Sequence, residues 1–285
     1  MDIPVWHDDQ QGTATIEVAG AINALKIVGK KISEASISMV GAGAANIAIS
    51  RVLVAAGANK KNIIMADSKG VLHPARNDIE KIKDKNPLKW DMCINSNSEG
   101  RTGDVGDAMK YTDIVIAASK PGPGTIKKEW VKNMADDSIV FATANPVPEI
   151  WPWEAKEAGA KIIATGRSDF PNQINNSLGF PGIFRGTLDV RARTITDEMC
   201  IAAAFELAKT AEDQGLSEEY IVPTMDSWEV FPREAAAVGM KAISQGMARI
   251  KPSRQELYDN AMQMIKKSRD KTKLLMKEGF ILDAD

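Results

Sequence analysis

The chain has 285 residues, 44% of them hydrophobic and 26% charged, and its formal net charge is −2. This length allows one large domain or two smaller ones with a sizeable core. The mixed charges give no basic surface, so we do not expect binding to nucleic acid. No apolar run approaches the roughly 20 residues of a membrane span, so we do not expect the chain to cross a membrane.

The amino end and the cysteines indicate the compartment. Met1 is followed by a polar segment that lacks the apolar run of a signal peptide. Cys93 and Cys200 lie far apart and share no metal-ligand spacing with a histidine, so buried thiols are favoured over a disulfide. We therefore expect a soluble cytoplasmic protein.

Apolar periodicity and turn residues divide the chain into regular elements. Residues 1–12 are expected to be extended or loop-like, and residues 95–100 are expected to form a surface loop. In chain order the sequence predicts a helix at 13–28, a strand at 36–40, a helix at 45–56, a strand at 62–66, helices at 74–83 and 104–110, strands at 112–118 and 138–144, a helix at 153–158, a strand at 161–164, and helices at 182–190, 197–213, 229–247 and 253–277.

The order of these elements predicts the fold class. Strands and helices alternate as far as residue 164, and helices alone follow. This is typical of an α/β fold with a Rossmann-type doubly wound parallel sheet and a helical carboxyl-terminal extension. The last helix is amphipathic and cationic, so we expect it to pack on this chain or on a partner subunit rather than on a membrane.

The glycine-rich turn after the first strand points to a dinucleotide. Gly41 permits a tight turn, Gly43 lets a pyrophosphate approach the backbone, and the following helix directs free N–H groups at that phosphate. Asn46 stands where such turns carry a third small residue, so a plain turn into a helix is the alternative. The expected cofactor contacts in this turn are Gly41, Ala42, Gly43, Ala44 and Ala45.

Asp67 follows the second predicted strand, where a carboxylate can accept hydrogen bonds from the adenosine ribose. Its charge would repel the 2′-phosphate of NADP, which favours NAD, whereas Lys69 could bind that phosphate. The sequence leaves the choice between NAD and NADP open. A loop carboxylate or a helix cap is the alternative interpretation of Asp67.

Polar residues also follow the later strands. Ser119 begins a loop rich in proline and glycine, whose small residues leave room for a flat ligand. Pro146 favours an extended conformation for Asn145, which would present its amide at the carboxyl edge of the sheet. The loop at residues 165–176 is rich in neutral polar side chains that could coordinate a ligand or cap nearby helices.

Three blocks of sequence go beyond a general nucleotide-binding pattern. They cover residues 3–14 (Ile-Pro-Val-Trp-His-Asp-Asp-Gln-Gln-Gly-Thr-Ala), 141–146 (Phe-Ala-Thr-Ala-Asn-Pro) and 165–182, which ends in Phe-Pro-Gly at 180–182 and is taken together with Arg-Gly at 185–186. These blocks resemble the malic enzymes, most closely the shorter prokaryotic type. The resemblance extends to about residue 249, although Gln11 stands where that type often carries His.

The resemblance implies roles for residues in these blocks. Asp9 matches a ligand of the catalytic Mg²⁺ or Mn²⁺, and Asp8 matches a neighbour that supports the catalytic lysine. Asn145, Asn175 and Asn176 match residues that face malate and the nicotinamide. The cofactor assignments are completed by two hydroxyl residues, Thr13 and Ser119.

The resemblance implies NAD(P)-dependent oxidative decarboxylation of malate to pyruvate by a homodimer or larger assembly. That family also carries an amino-terminal substrate domain, which supplies a catalytic tyrosine, a catalytic lysine and a Glu-Asp pair for the metal. None of Tyr111, Tyr220 and Tyr258 lies in a motif that could replace that tyrosine. We therefore expect residues 1–250 to form the NAD(P)-binding part and residues 251–285 a helical tail, and we expect the chain to be inactive alone.

Two alternatives to this interpretation remain open. The first is a non-catalytic nucleotide-binding module or subunit, which would have no need of a metal ligand at Asp9. The second is another Rossmann-type dehydrogenase, such as an amino-acid dehydrogenase. The first block argues against it, because hydride transfer alone does not require a carboxylate that binds a hard metal.

Overall fold

The computed structural model describes residues 3–282 of the chain. Its strands are β1 (Ile37–Val40), β2 (Ile63–Asp67), β3 (Gly70–Val71), β4 (Ile114–Ala117), β5 (Ile139–Ala142) and β6 (Ile162–Thr165). They form one sheet in the order β3-β2-β1-β4-β5-β6, in which only the β2–β3 pair is antiparallel. The predicted Rossmann-type doubly wound fold is therefore confirmed.

The helices surround this sheet and form the carboxyl-terminal part of the chain. They are α1 (Thr13–Ile27), α2 (Ala44–Ala55), α3 (Asn77–Glu80), α4 (Pro87–Asn95), α5 (Val105–Met109), α6 (Lys128–Lys132), α7 (Pro152–Glu157), α8 (Phe180–Asp189), α9 (Asp197–Gln214), α10 (Val230–Ser244) and α11 (Arg254–Lys277). None of the helices in the described residues is long and apolar enough to span a membrane.

The sheet is buried on both faces because its strands consist mostly of apolar residues. On one face, Ile37 and Met39 of β1 join a core with residues of α1, α2 and α9. On the other, Val115 and Val140 join a core with residues of α5, α6 and α7. Burial on both faces is typical of a parallel sheet. The connecting loops therefore lie at the amino and carboxyl ends of the strands.

Several predicted boundaries are wrong. Residues 8–12 form a turn of π-helix that leads into α1, and not an extended segment. The helix predicted at 74–83 is only the single turn α3, in which Ile79 is the one buried side chain, so little packing supports a longer helix. Helices α4 and α6 were not predicted, although Asn86 followed by Pro87 is a helix-start signal, and the Asn86 side-chain oxygen Oδ1 accepts a hydrogen bond from the Lys89 backbone amide.

The third core cluster joins α8, α9 and α10 to the first part of α11. Leu257 is buried in this cluster, whereas Leu274 near the end of α11 is 57% exposed. Leu257 thus shares a core with α8 and α10. The division of the chain into residues 1–250 and 251–285 stays a prediction. Residues 1–2 and 283–285 lie outside the described residues.

Replacing Leu257 by alanine is expected to lower the free energy of unfolding by about 2–5 kcal/mol, because a buried leucine leaves a cavity. Leu274→Ala, in the same helix, is expected to change it by less than about 0.5 kcal/mol. Urea denaturation of the two variants and the parent chain measures both values. Equal effects would show that the first part of α11 does not belong to the core.

Candidate functional site

The carboxyl ends of β1, β4 and β5 lie side by side. Val40, Ala117 and Ala142 are in register across these three neighbouring strands. The strand order also reverses here, since the chain leaves β1 for β2 on one side and later returns to β4 on the other. Ligands of open parallel sheets bind at such a point. We call the space between the loops that follow β1, β4 and β5 the switch crevice.

The glycine turn opens the first side of the switch crevice. Gly41 has a φ of 102°, and a Cβ there would lie 2.8 Å from the Ala118 carbonyl oxygen, so the backbone requires glycine. Gly43 has a φ of −84° and precedes α2, yet a Cβ at Gly43 would meet nothing within 4 Å. The space in front of the α2 amino terminus is therefore open to a ligand.

Asn46 explains the departure of this turn from the usual glycine pattern. Its side chain is fully buried, and its Nδ2 donates hydrogen bonds of 2.8 Å to both the Val40 and the Gly41 carbonyl oxygens. Asn46 thus closes the turn from inside, so the difference from a small residue is compatible with a phosphate-binding turn.

Ser119 and Asn145 lie on the other two loops of the switch crevice. The Ser119 amide and hydroxyl both donate to Glu149, which is fully buried. Burial raises the pKa of Glu149, while hydrogen bonds from Ala144 and Ser119 oppose that rise. Asn145 is exposed, and its amide lies against the backbone of Gly166, where a Cβ would come within 2.8 Å of Nδ2. The end of β5 and the amide-rich loop therefore meet.

Asp8 and Asn176, far apart in sequence, are brought into contact. The Asn176 Nδ2 donates to Asp8 Oδ2 at 2.5 Å. Burial, and then the charge of Asp9, raise the pKa of Asp8. Asn175 has a different local contact, because its Oδ1 accepts the Ser177 amide at 3.0 Å and caps the short helical turn Asn176–Leu178. Thr13 is the first residue of α1 and is partly exposed.

The described residues do not assemble a complete set of metal ligands. Asp9 is exposed, and within residues 3–282 no three His, Cys, Asp or Glu side chains group closely enough to hold an ion. Asp8 Oδ1 is buried without a hydrogen-bond partner in the same part of the chain. Two neighbouring carboxylates suit a hard cation, but Mg²⁺ or Mn²⁺ would need further ligands.

Asp67 is held in a network of ion pairs. Its carboxylate accepts from Arg76 at 2.9 Å, from Lys89 at 2.7 Å and from the Lys69 amide at 2.9 Å. Although burial opposes them, these donors lower the pKa of Asp67, the Arg76 guanidinium contributing most. The charge of Asp67 is therefore balanced within the protein. These ion pairs were not predicted, because Arg76 and Lys89 lie 9 and 22 residues from Asp67 along the chain.

Glu17 is a functional candidate that sequence reasoning missed. It lies on α1, is fully buried, and both of its carboxyl oxygens lack a hydrogen-bond partner among the described residues. Burial, with a further contribution from the charge of Glu149, raises the pKa of Glu17 to about 8. The available signal was the single carboxylate of α1, which stands between the apolar residues Ile16 and Val18. Cys93 and Cys200, by contrast, are buried free thiols as expected.

Comparison with known proteins identifies the family. The family described as "Malic enzyme, NAD binding domain" matches residues 10–244. The chain belongs to the malic enzyme family. The matched residues include the glycine turn, the loops of the switch crevice and Asn176, whereas Asp8 lies just before them. The match confirms the family resemblance of the sequence blocks.

The individual relatives are similar over most of this chain. An NAD-dependent malic enzyme of Geobacillus stearothermophilus is 45% identical, covering 87% of this chain and 50% of its own length. An NADP-dependent malic enzyme of Halomonas elongata is 41% identical, covering 87% and 60%. The crystal structure of Entamoeba histolytica malic enzyme has a TM-score of 0.97 and 50% identity, covering all of this chain and 58% of that one. The chain thus spans about half to three-fifths of these relatives.

The raised pKa of Glu17 predicts a pH-dependent stability. The folded protein keeps this proton up to about pH 8, whereas the unfolded chain releases it near pH 4.5, so the stability contributed by the neutral acid is lost as the pH rises between these values. The slope for one proton is about 1.4 kcal/mol per pH unit.

Glu17→Gln stays neutral and removes this dependence. Its free energy of unfolding relative to the parent chain is expected to rise by about 2–3 kcal/mol from pH 5.5 to pH 7.5. Denaturant unfolding of both proteins at the two pH values measures the difference. The comparison with the parent cancels titrating groups that do not interact with Glu17, such as the buried Glu234, whose pKa is also raised. A difference that does not change with pH contradicts the neutral state of Glu17.

Proposed function

We propose that this chain provides the NAD(P)-binding part, and a share of the substrate and metal site, of an enzyme that oxidatively decarboxylates malate to pyruvate and CO₂. The observation that carries the proposal is the open space in front of α2 at Gly43, beside the loops of Ser119 and Asn145. Family membership supports it, and relatives named as NAD- and NADP-dependent malic enzymes support the cofactor class.

The glycine turn fits the pyrophosphate of a dinucleotide. Gly41 fixes the turn, Gly43 leaves the approach clear, and α2 presents unpaired N–H groups and the positive end of its dipole. Ala42, Ala44 and Ala45 add no bulk at this point. Thr13, Ser119 and Asn145 are proposed to contact the remainder of the cofactor. A bound nicotinamide would accept the hydride from C2 of malate.

The substrate side of the proposal rests on neutral amides. Asn145 and Asn176 can donate hydrogen bonds to a carboxylate without adding negative charge, and Asn175 lies next to Asn176. Asp8 accepts from the Asn176 amide nitrogen and thereby holds the orientation of that side chain. We propose that Asp8 also supports a catalytic lysine. That lysine would come from outside residues 3–282.

The metal site is proposed to be shared with protein outside this chain. Asp9 is the proposed ligand for Mg²⁺ or Mn²⁺, since its side chain is exposed and a carboxylate is a suitable ligand for either ion. A bound cation would polarise the C2 oxygen of malate. Because the described residues bring together no third ligand, we propose that the other ligands, and the catalytic tyrosine and lysine, come from protein beyond these 285 residues.

The Asp67 network bears on the choice between NAD and NADP. Arg76, Lys89 and Lys69 surround two carboxylates, Asp67 and Asp78, so the five side chains carry one net positive charge. A net positive group does not repel a 2′-phosphate as an isolated aspartate would. We therefore propose that the site accepts either cofactor. An assembly of two or more copies and a cytoplasmic location stay predictions from the sequence.

The non-catalytic nucleotide-binding module remains the second candidate. The observation that favours it is the incomplete metal site among the described residues. The Asp8–Asn176 contact favours the enzyme, because a module that only binds a nucleotide has no need of a carboxylate and an amide joined at the amide-rich loop.

Gly43→Ala is expected to weaken NAD binding by about tenfold or more and to change the free energy of unfolding by less than about 1 kcal/mol, since the added Cβ meets no protein atom but enters the proposed phosphate space. Calorimetric titration with NAD and thermal unfolding measure the two effects. Gly159→Ala is the control: its φ of 103° makes alanine strained, so it should lose stability and keep its NAD affinity. Unchanged NAD binding in Gly43→Ala would disprove the proposed phosphate position.

The 285-residue chain alone is expected to bind NAD or NADP without turning over malate. The reason is the incomplete set of metal ligands and catalytic groups in the described residues. Absorbance of the reduced cofactor, followed with malate and Mn²⁺ at saturating NAD, measures turnover. Rates usual for enzymes, roughly 1–10³ per second, would show that the chain already contains a complete site.

A further inference from the structure

Glu149 lies beneath the floor of the switch crevice, on the segment between β5 and α7. Its side chain is fully buried. One carboxylate oxygen accepts both the amide and the hydroxyl of Ser119, each at 2.9 Å. The other accepts the amide of Ala144 at 3.1 Å. A single carboxylate therefore ties the loop after β4 to the loop after β5.

The backbone around Glu149 strengthens the same link. The Ile126 amide donates to the Glu149 carbonyl oxygen at 3.1 Å, and the Gly122 amide donates to the Val147 carbonyl oxygen at 3.2 Å. The loop after β4 is thus laid along the segment that follows Asn145. These two loops form two walls of the crevice. The hydrogen bonds of the Glu149 carboxylate, together with these backbone contacts, set the distance between them.

We propose that Glu149 is a positioning residue that holds Ser119 and Asn145 at the separation required by the nicotinamide half of the cofactor. This inference rests on the proposed binding of NAD(P) in the switch crevice. Glu149 does not itself reach the ligand, because it is fully buried below both loops. Its effect is exerted through the Ser119 and Ala144 amides, the latter immediately preceding Asn145.

The chemistry of the three donors explains why a carboxylate occupies this position. Two backbone N–H groups and one hydroxyl converge on the side chain, and a carboxylate offers acceptors on both oxygens. Glutamine has one acceptor oxygen and an NH₂ group, so one of the two loops would face a donor. Aspartate keeps the charge but is one methylene shorter, so it cannot reach both loops from the same backbone.

The test compares ligands that use different parts of the crevice. NAD and ADP are titrated calorimetrically into the parent chain, Glu149→Gln and Glu149→Asp. Both variants are expected to bind NAD about 10–100-fold more weakly, because two or three hydrogen bonds to a charged group are lost or weakened. ADP affinity is expected to stay within about twofold, since its phosphates bind at the glycine turn, which Glu149 does not contact.

Glu157→Gln is the matched control, because Glu157 lies on nearby α7 and pairs with Lys128 at the surface. It should bind both ligands like the parent chain. Retained ADP binding also shows that a Glu149 variant is folded.

Three results would overturn the inference. The first is unchanged NAD affinity in Glu149→Gln, and the second is an equal loss of NAD and ADP in both Glu149 variants. The third is normal NAD affinity in Glu149→Asp with a loss only in Glu149→Gln, because charge and not span would then matter. Failure of the parent chain to bind NAD would instead overturn the proposed function, and this inference with it.

Discussion

The reversal of strand order at β1 is the constraint on which the rest of this protein depends. With β2 on one side of β1 and β4 on the other, right-handed connections carry their helices to opposite faces of the sheet. The loops that leave β1 and β4 therefore diverge, and the space between them cannot be filled by the connecting chain. The glycine turn, Ser119 and Asn145 lie on the loops that form the walls of this space, and Glu149 ties two of those loops together.

Keeping the crevice open places polar groups in a region that must otherwise be buried. Asn46 uses its amide to satisfy two carbonyl oxygens of the glycine turn, and Glu149 satisfies donors of two further loops. No backbone donor among the described residues reaches Glu17, which is instead held as a neutral acid, because ionisation on burial would cost more than retaining the proton. The same burial thus produces three different solutions, according to whether the neighbouring backbone offers acceptors, as at Asn46, donors, as at Glu149, or neither, as at Glu17.

The extent of successful prediction follows the range of the interactions. The five parallel strands and the long helices were predictable, because the pattern of apolar side chains within each element indicates which of its faces is buried. Helices α4 and α6 were not, because they are short and their sequences carry little periodicity. The antiparallel β3 consists of two residues, Gly70 and Val71, and is defined by its pairing with β2 and not by its own composition.

The sequence by itself determined the fold class, the family and the chemical types in the candidate site, since these depend on local patterns: a glycine turn after an apolar strand, adjacent aspartates and a loop of amides. Only the tertiary structure decided which of these groups meet. It joined Asp8 to Asn176, balanced Asp67 with Arg76 and Lys89, and placed Glu149 between two loops. The physical reason is that hydrogen bonds and ion pairs act over a few ångströms in space, whereas periodicity and turn chemistry report only on neighbours along the chain.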